Sequence, residues 1–309
     1  MSSPSDRFLI ICGAEKAGTT SLYRYLATHP DVRPSIRKET DYFRGPEATL
    51  AGYRACFGMA ERESALCVES SPAYLAEAGE VGPRLAAVVP QAQLVFILRD
   101  PVDRLRSAYR FYQSRLHVPA DMDFGRFVSA CLDAESGILN PDIARLKQWH
   151  QCAAARGRYE RLLPPFEAHF AAAQRLVVPH AQLQSDPAGT TCSVARFAGL
   201  DPAHFQDSAF ARENVSFGVR NRRIQHVAVK VNDGLELLWR RYPGLKRRLL
   251  ATYKRFNAKP LQEDALSKTV QERLDKYYEP TRRYMAAIAG LSTAPVGHPP
   301  KPVAEQSNQ

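Results

Sequence analysis

The chain has 309 residues, 45% hydrophobic and 24% charged, which suits a folded protein with a substantial core and argues against a disordered or fibrous one. Lys and Arg number 42 against 32 Asp and Glu; the resulting net charge of +10 favours polyanionic partners without naming nucleic acid, a nucleotide, an acidic glycan or a membrane surface. No apolar run approaches the ~20 residues of a membrane span. The six cysteines (Cys12, Cys56, Cys67, Cys131, Cys152, Cys192) form no C-x-x-C pair, so buried free thiols are expected rather than a zinc or redox site.

The N-terminal MSSPSDR lacks a basic leader region and the apolar run after it is short, so a cytoplasmic protein with reduced thiols is expected. Phe8–Ile11 then reads as a strand buried on both faces. Gly13 and Gly18 bracket a tight turn, and Thr19-Thr20-Ser21 open a helix that ends near His29-Pro30. Val32–Arg37 is extended, Lys38–Phe43 shows no amphipathic period, and Ala48–Phe57 reads as a helix closed by Gly58. Ala65–Glu69 is a second buried strand, Val81–Val89 a helix stopped by Pro90, and Gln93–Leu98 a third clear strand. Pro101 then sits at the first position of a helix running to about Arg115.

The middle is more helical, with apolar residues at helical spacing in Phe124–Leu132, Asp142–Ala155 and Tyr159–Phe170. Arg175–Val178 returns to strand, Pro187–Ala198 is a helix ended by Gly199, and Asn214–Asn221 is a glycine-containing loop. Ile224–Phe256 is helical and very basic, and Leu266–Ala289 is a last amphipathic helix. Strands alternating with helices predict an α/β fold: a P-loop-like central parallel sheet flanked by helices, with a helical, basic C-terminal part. Residues 1–6 are expected to be flexible, 7–292 to form a single domain, and the Pro-rich 293–309 to be disordered.

Two segments carry the chemistry. A strand, a glycine-punctuated loop and a helix start together present unpaired backbone N–H groups and a favourable dipole to an anion. The spacing of Gly13 and Gly18 matches a nucleotide-triphosphate loop, G-x-x-x-x-G-K-[ST], but Thr19 takes the lysine position and the nearest lysine is Lys16, inside the loop. A lysine there approaches the anion near a terminal group. The second segment, RDPVDRLRSAY, follows Leu98 directly. Arg99 as a fork and Ser107 as a hydroxyl donor would pinch one phosphate. Taken singly, each segment also has a plain reading: a β-turn-α connection with a chance lysine, and an Arg99–Asp103 pair with Ser107 facing solvent. Ligands in open parallel sheets bind at the carboxyl ends of strands, where both segments lie. Together they suggest a ligand with two separated phosphates.

On these segments the chain resembles the sulfotransferases that use 3′-phosphoadenosine 5′-phosphosulfate (PAPS), and among them the heparan-sulfate-type and bacterial branch. GAEKAGTTSL is similar to the 5′-phosphosulfate loop, RDPVDRLRSAY to the 3′-phosphate element, KETDYF to the segment bearing the catalytic glutamate, and ESSPAY to a segment often found after it. Gly157–Phe170 with Leu176–Leu183 resembles the family's helix-then-strand unit, and Pro260–Gly290 its C-terminal helix. The resemblance implies that Lys16 contacts the bridging oxygen and sulfonate while Ala17, Gly18, Thr19, Thr20 and Ser21 cradle the 5′-phosphate. It further implies that Arg99 and Ser107 hold the 3′-phosphate, that Gly218 and Arg220 belong to a third cofactor-contacting loop, and that Glu39 is the general base. The chain departs from the heparan-type pattern at Asp41, where a histidine is common, at Arg44, where an aspartate is common, and at Ser70, where a lysine is common.

The implied reaction is O-sulfation of a glycan, lipid or natural product, with PAP as product and no metal required. Lys16 and backbone N–H groups would neutralise the leaving oxygen, and Glu39 would deprotonate the acceptor, its pKa raised by an apolar wall from Tyr42 and Phe43 and opposed by Lys38. A surface pair of Glu39 with Lys38 or Arg37 is the plainer reading of that carboxylate. The acceptor would sit among loops around Glu39, Tyr74, Phe111 and Phe124–Trp149. Two alternatives stay open: a P-loop kinase, against which Thr19 argues, and a basic module binding nucleic acid or a membrane surface, for which no nucleic-acid signature is present. Nothing in the sequence sets an oligomeric state.

Overall fold

The computed structural model describes residues 7–59, 65–206, 210, 218–235, 243–259 and 265–291. The expected flexible start and Pro-rich tail, and parts of the Asn214–Asn221 and Pro260–Gly290 stretches, lie outside them. At the centre is a parallel sheet of five strands: β1 (Arg7–Gly13), β2 (Val32–Pro34), β3 (Leu66–Ser70), β4 (Gln93–Leu98) and β5 (Arg175–Pro179), in the order β2-β3-β1-β4-β5. The central strands are apolar because both faces are covered: Leu9 to Cys12 on β1 and Leu94 to Ile97 on β4 are fully buried. Strand order reverses beside β1, so the crevice at the carboxyl ends of β1 and β4 is the place where such a sheet takes a ligand.

Local sequence sets these ends. Gly13 closes β1 where a Cβ would come within 2.6 Å of Leu75 Cβ, so no larger residue fits. Gly18 caps the helix Thr19–Leu26 at φ 86°, a left-handed conformation glycine adopts without strain, and no side chain caps that helix. Asp100 accepts from the backbone N–H of Val102 (2.9 Å) and Asp103 (3.0 Å), and Pro101 fills the first turn, so β4 passes straight into the helix Pro101–Ser114. The helix Lys268–Leu291 packs behind this corner: Tyr278 donates to the Ala154 carbonyl (2.8 Å) and Thr281 to Glu160 (2.6 Å).

The structure corrects several expected elements. Asp142–Ala155 is not one helix. It forms a 3₁₀ turn (Ile143–Arg145), an extended step at Leu146 and Lys147, and a short helix (Gln148–Gln151). Leu146 is buried there, and the Gln151 amide donates to the carbonyls of Ile143 (3.0 Å) and Leu146 (2.8 Å), replacing the ladder bonds of a continuous helix. Tyr159–Phe170 is split into Tyr159–Leu162 and Pro164–Glu167, since Pro164 and Pro165 have no N–H to extend the first. The basic region comprises the helices Arg222–Gly234 and Pro243–Asn257, and Gly218–Val219 (β6), expected in a loop, pairs antiparallel with Ala258–Lys259 (β7). Of the cysteines, Cys12, Cys67, Cys131 and Cys192 are buried as expected, but Cys152 is exposed. No helix among the described residues is long and apolar enough to cross a membrane.

Candidate functional site

The β1–helix loop and the β4–helix junction are brought edge to edge by strand pairing, Gly13 facing Phe96, with the Ala14 N–H donating to the Ile97 carbonyl (2.8 Å). A cleft of about 1160 Å³ opens above them. Lys16, Gly18, Thr19, Thr20, Ser21, Glu39, Arg99 and Ser107 all line it. Ala17 is buried beneath the loop. Gly218 and Arg220 do not line it: Gly218 pairs with Lys259, and exposed Arg220 donates its N–H to the Asn257 carbonyl (2.8 Å).

Arg99 joins the two anion segments physically. Its Nη1 donates to the Lys16 backbone oxygen (3.0 Å), and the Tyr159 hydroxyl donates to the Arg99 carbonyl (3.0 Å), fixing the backbone beneath it. Asp103, expected in the plainer reading to pair with Arg99, instead meets Arg106 at 3.4 Å. Burial lowers the pKa of Arg99, an effect that the neighbouring Asp103 charge opposes. Lys16 adopts φ 69°, and its Nζ lies 3.8 Å from the centroid of the Phe111 ring. Desolvation pulls the Lys16 pKa below the ordinary lysine value, while the charges of Glu15 and Glu39 push it back up.

Glu39 faces the cleft at φ 62°, its N–H donating to the Ser70 carbonyl (3.1 Å). Its carboxylate meets Lys38 Nζ at 2.6 Å, so the plainer ion pair does form; with the Glu39 side chain 53% exposed, that pair is worth about 1 kcal/mol or less and does not lock the group away. The apolar wall expected around it is absent. Phe43 is fully buried against Tyr53 and Tyr74, and Tyr42 stacks on Tyr53 and donates to the Thr49 carbonyl (3.1 Å). Tyr74, expected at the acceptor, is likewise fully buried, and Phe124 packs in the core.

Phe111 and Trp149, expected around the acceptor, line the cleft, as do Tyr25, His180, Leu183, Gln184 and Phe210, which sequence does not single out. At one end, Tyr25 and Phe210 meet edge to face with centroids 4.6 Å apart, near His180, Leu183 and Gln184. Trp149, Phe111, Asp41 and Arg44 share the lining, the Arg44 guanidinium 5.4 Å from the centroid of the Trp149 ring. Arg44 binds Glu77 through two bonds (2.8 and 2.6 Å) and Asp41 at 3.6 Å. Burial raises the Asp41 pKa, against the pull of Arg44. Glu15, inside the loop, accepts from the Tyr112 hydroxyl (3.0 and 3.1 Å) and from Arg156 (3.3 Å), whose guanidinium stacks 3.4 Å from the Trp149 ring. These residues come from segments far apart in the chain, so sequence spacing carries no signal for their contacts.

The carboxyl ends of β1 and β4 thus define an α/β protein in which two adjoining loop-to-helix elements and the Glu39 carboxylate line one cleft. The chain belongs to the sulfotransferase family, whose model matches residues 39–205. It is 29% identical over 204 residues to the bifunctional heparan sulfate N-deacetylase/N-sulfotransferase 1 of Caenorhabditis briggsae, covering 64% of this chain and 23% of that protein. It is 32% identical over 193 residues to the mouse heparan sulfate glucosamine 3-O-sulfotransferase 3A1, covering 62% of this chain and 45% of that one. The chain therefore matches less than half the length of these relatives. Its fold is like that of a sulfotransferase from Alicyclobacillus acidocaldarius, with a TM-score of 0.52, 23% identity, and coverage of 70% of this chain and 87% of that one.

Proposed function

We propose that the chain transfers a sulfuryl group from PAPS to an acceptor hydroxyl, with Glu39 as base and Lys16 neutralising the leaving oxygen. The observation that carries this reading is the Arg99–Lys16 contact: it sets a phosphate-binding fork against the loop holding the cleft's lysine, a spacing suited to one ligand bearing both a 3′-phosphate and a 5′-phosphosulfate. The uncapped helix at Gly18, with Thr19, Thr20 and Ser21, supports the 5′-phosphate; Arg99 and Ser107 support the 3′-phosphate. Tyr25 and Phe210 offer an aromatic end for a nucleobase.

In this mechanism the acceptor oxygen attacks sulfur in line, its proton passes to Glu39, and the S–O bond to the phosphate breaks to release PAP. The negative charge that grows on the departing phosphate oxygen meets the Lys16 ammonium and the loop amides. Lys16 is held for this by the Phe111 ring and by the left-handed backbone that turns it into the cleft. The acceptor, a glycan, lipid or natural product, would lie between Trp149, Phe111 and the Asp41–Arg44–Glu77 network. Incubating the protein with PAPS and a panel of such hydroxyl compounds, and reading products by mass spectrometry, tests this. Products heavier by about 80 Da, the mass of an added SO₃ group, support the reading. Products arising at the wild-type rate with Glu39→Gln would overturn the base assignment.

A further inference from the structure

Glu69 is a buried carboxylate in the sheet's interior whose chemistry the proposed reaction leaves unused. It lies on β3 between Val68 and Ser70, opposite Ile10 of β1, is fully buried, and does not line the cleft. A carboxylate there carries a large desolvation cost unless hydrogen bonds offset it. Three hydroxyls do so: Tyr53 donates to Oε1 (2.9 Å), and Ser71 (3.0 Å) and Thr40 both donate to Oε2.

These hydroxyls lead directly to the segment that bears the base. The Asp41 N–H donates to Ser71 Oγ (3.1 Å), the Tyr42 N–H to Thr40 Oγ1 (3.3 Å), and the Phe43 N–H to the Tyr74 hydroxyl (3.3 Å). Tyr74 lies 3.2 Å from Thr40 Oγ1; since the Thr40 proton is committed to Glu69, Tyr74 is the donor in that pair. Three successive backbone amides are thus tied through three hydroxyls, all of which drain toward one carboxylate. The segment needs such restraint. Glu39 (φ 62°) and Asp41 (φ 51°) both sit in the left-handed region, which is strained for residues with a side chain and persists only where the surroundings impose it.

We infer that Glu69 is a positioning residue: as the common acceptor of the Thr40 and Ser71 hydroxyls, it holds the Glu39–Phe43 segment in the backbone conformation that aims Glu39 into the cleft. The burial-raised pKa of Glu69, opposed by its hydroxyl donors, agrees with a carboxylate held by hydrogen bonds alone. The inference rests on the proposed role of Glu39 only for its catalytic consequence; the restraint itself is a property of the fold.

The test uses the full chain. In Glu69→Ala, amide hydrogen exchange at Asp41, Tyr42 and Phe43 should speed up about tenfold or more, while exchange in the Gly13–Ser21 loop and affinity for PAP stay within about twofold of wild type. Glu69→Gln, which keeps one acceptor oxygen for Thr40 and Ser71, should restore most of the protection. As a control against loss of folding in Glu69→Ala, the pair Thr40→Val with Ser71→Ala cuts the same connection and leaves Glu69 in place; it should reproduce the faster exchange. With an acceptor found by the panel, kcat should fall about tenfold in Glu69→Ala and recover in Glu69→Gln, with KM for PAPS unchanged. Unchanged exchange at residues 41–43 in both disruptive variants overturns the inference, whatever the donor proves to be. A kcat loss that Glu69→Gln does not relieve overturns it as well. Failure of the wild type to bind PAP would instead count against the proposed donor.

Discussion

The Arg99 guanidinium donates to the backbone oxygen of Lys16 at 3.0 Å, so the end of β4 holds the loop that follows β1. One side chain therefore shapes the lysine loop, and in the proposed function its remaining N–H groups serve the 3′-phosphate. Arg99→Lys keeps the charge and loses the planar fork, so it cannot serve both at once. Affinity for PAP is expected to fall about tenfold in Arg99→Lys and about a hundredfold in Arg99→Ala, measured by calorimetry. Wild-type affinity in Arg99→Lys would show that the contact is incidental.

Burial lowers the Lys16 pKa, so the free protein loses that charge at a lower pH than an exposed lysine would. In the proposed mechanism the protonated form neutralises the leaving oxygen, so activity is expected below the Lys16 pKa and is expected to be lost as pH rises through it. An anionic donor favours the ammonium and moves the loss upward. The alkaline limb of kcat/KM is thus expected at lower pH than the limb of kcat. In Lys16→Arg both limbs should move beyond the accessible range, with residual activity well below wild type.

Gly13 and Gly18 make different demands. A methyl group at Gly13 strikes Leu75 at 2.6 Å, and the core there has no slack, so Gly13→Ala should cost about 1–3 kcal/mol in a denaturant melt. At Gly18 the Cβ would stand 3.2 Å from Leu183 and the backbone is left-handed, so Gly18→Ala should cost about 1 kcal/mol and weaken PAP binding through the displaced helix start. Equal effects on stability and binding at both positions would contradict the separation.

Arg156 links the donor loop to the opposite wall, since it pairs with Glu15 and stacks on Trp149. Trp149→Ala is expected to raise KM for the acceptor about tenfold and leave PAP affinity unchanged. Arg156→Leu removes the cation from a half-buried Glu15 and should impair both, with a stability loss of about 2 kcal/mol. Steady-state kinetics with calorimetry separate the two outcomes.

The parts of this architecture that sequence makes legible are those with local causes. Buried strands β1, β3 and β4 show as apolar runs, Pro101 marks a helix start, and the glycine pair marks the loop. At Asp142–Ala155 and Tyr159–Phe170 the helical periodicity is real but the ladders are interrupted, by the Gln151 amide in one and by two prolines in the other. The site divides the same way. Lys16, Arg99 and Ser107 lie in the loop after β1, at the end of β4 and in the helix that follows β4, and can be placed from pattern. Glu15, Trp149, Tyr25 and the Glu69 network depend on segments that meet only in the folded chain. Glu69 is the plainest example, since in sequence it reads simply as the polar end of a strand.

The most direct measurement is a calorimetric titration of the full chain with PAP in the presence of EDTA, set beside ATP with magnesium and a salt series with duplex DNA or anionic vesicles. The account expects PAP to bind at about micromolar affinity without a divalent cation, weakening at least tenfold in Arg99→Ala. No heat with PAP, together with magnesium-dependent ATP binding or with strongly salt-dependent binding to DNA or vesicles alone, would contradict it.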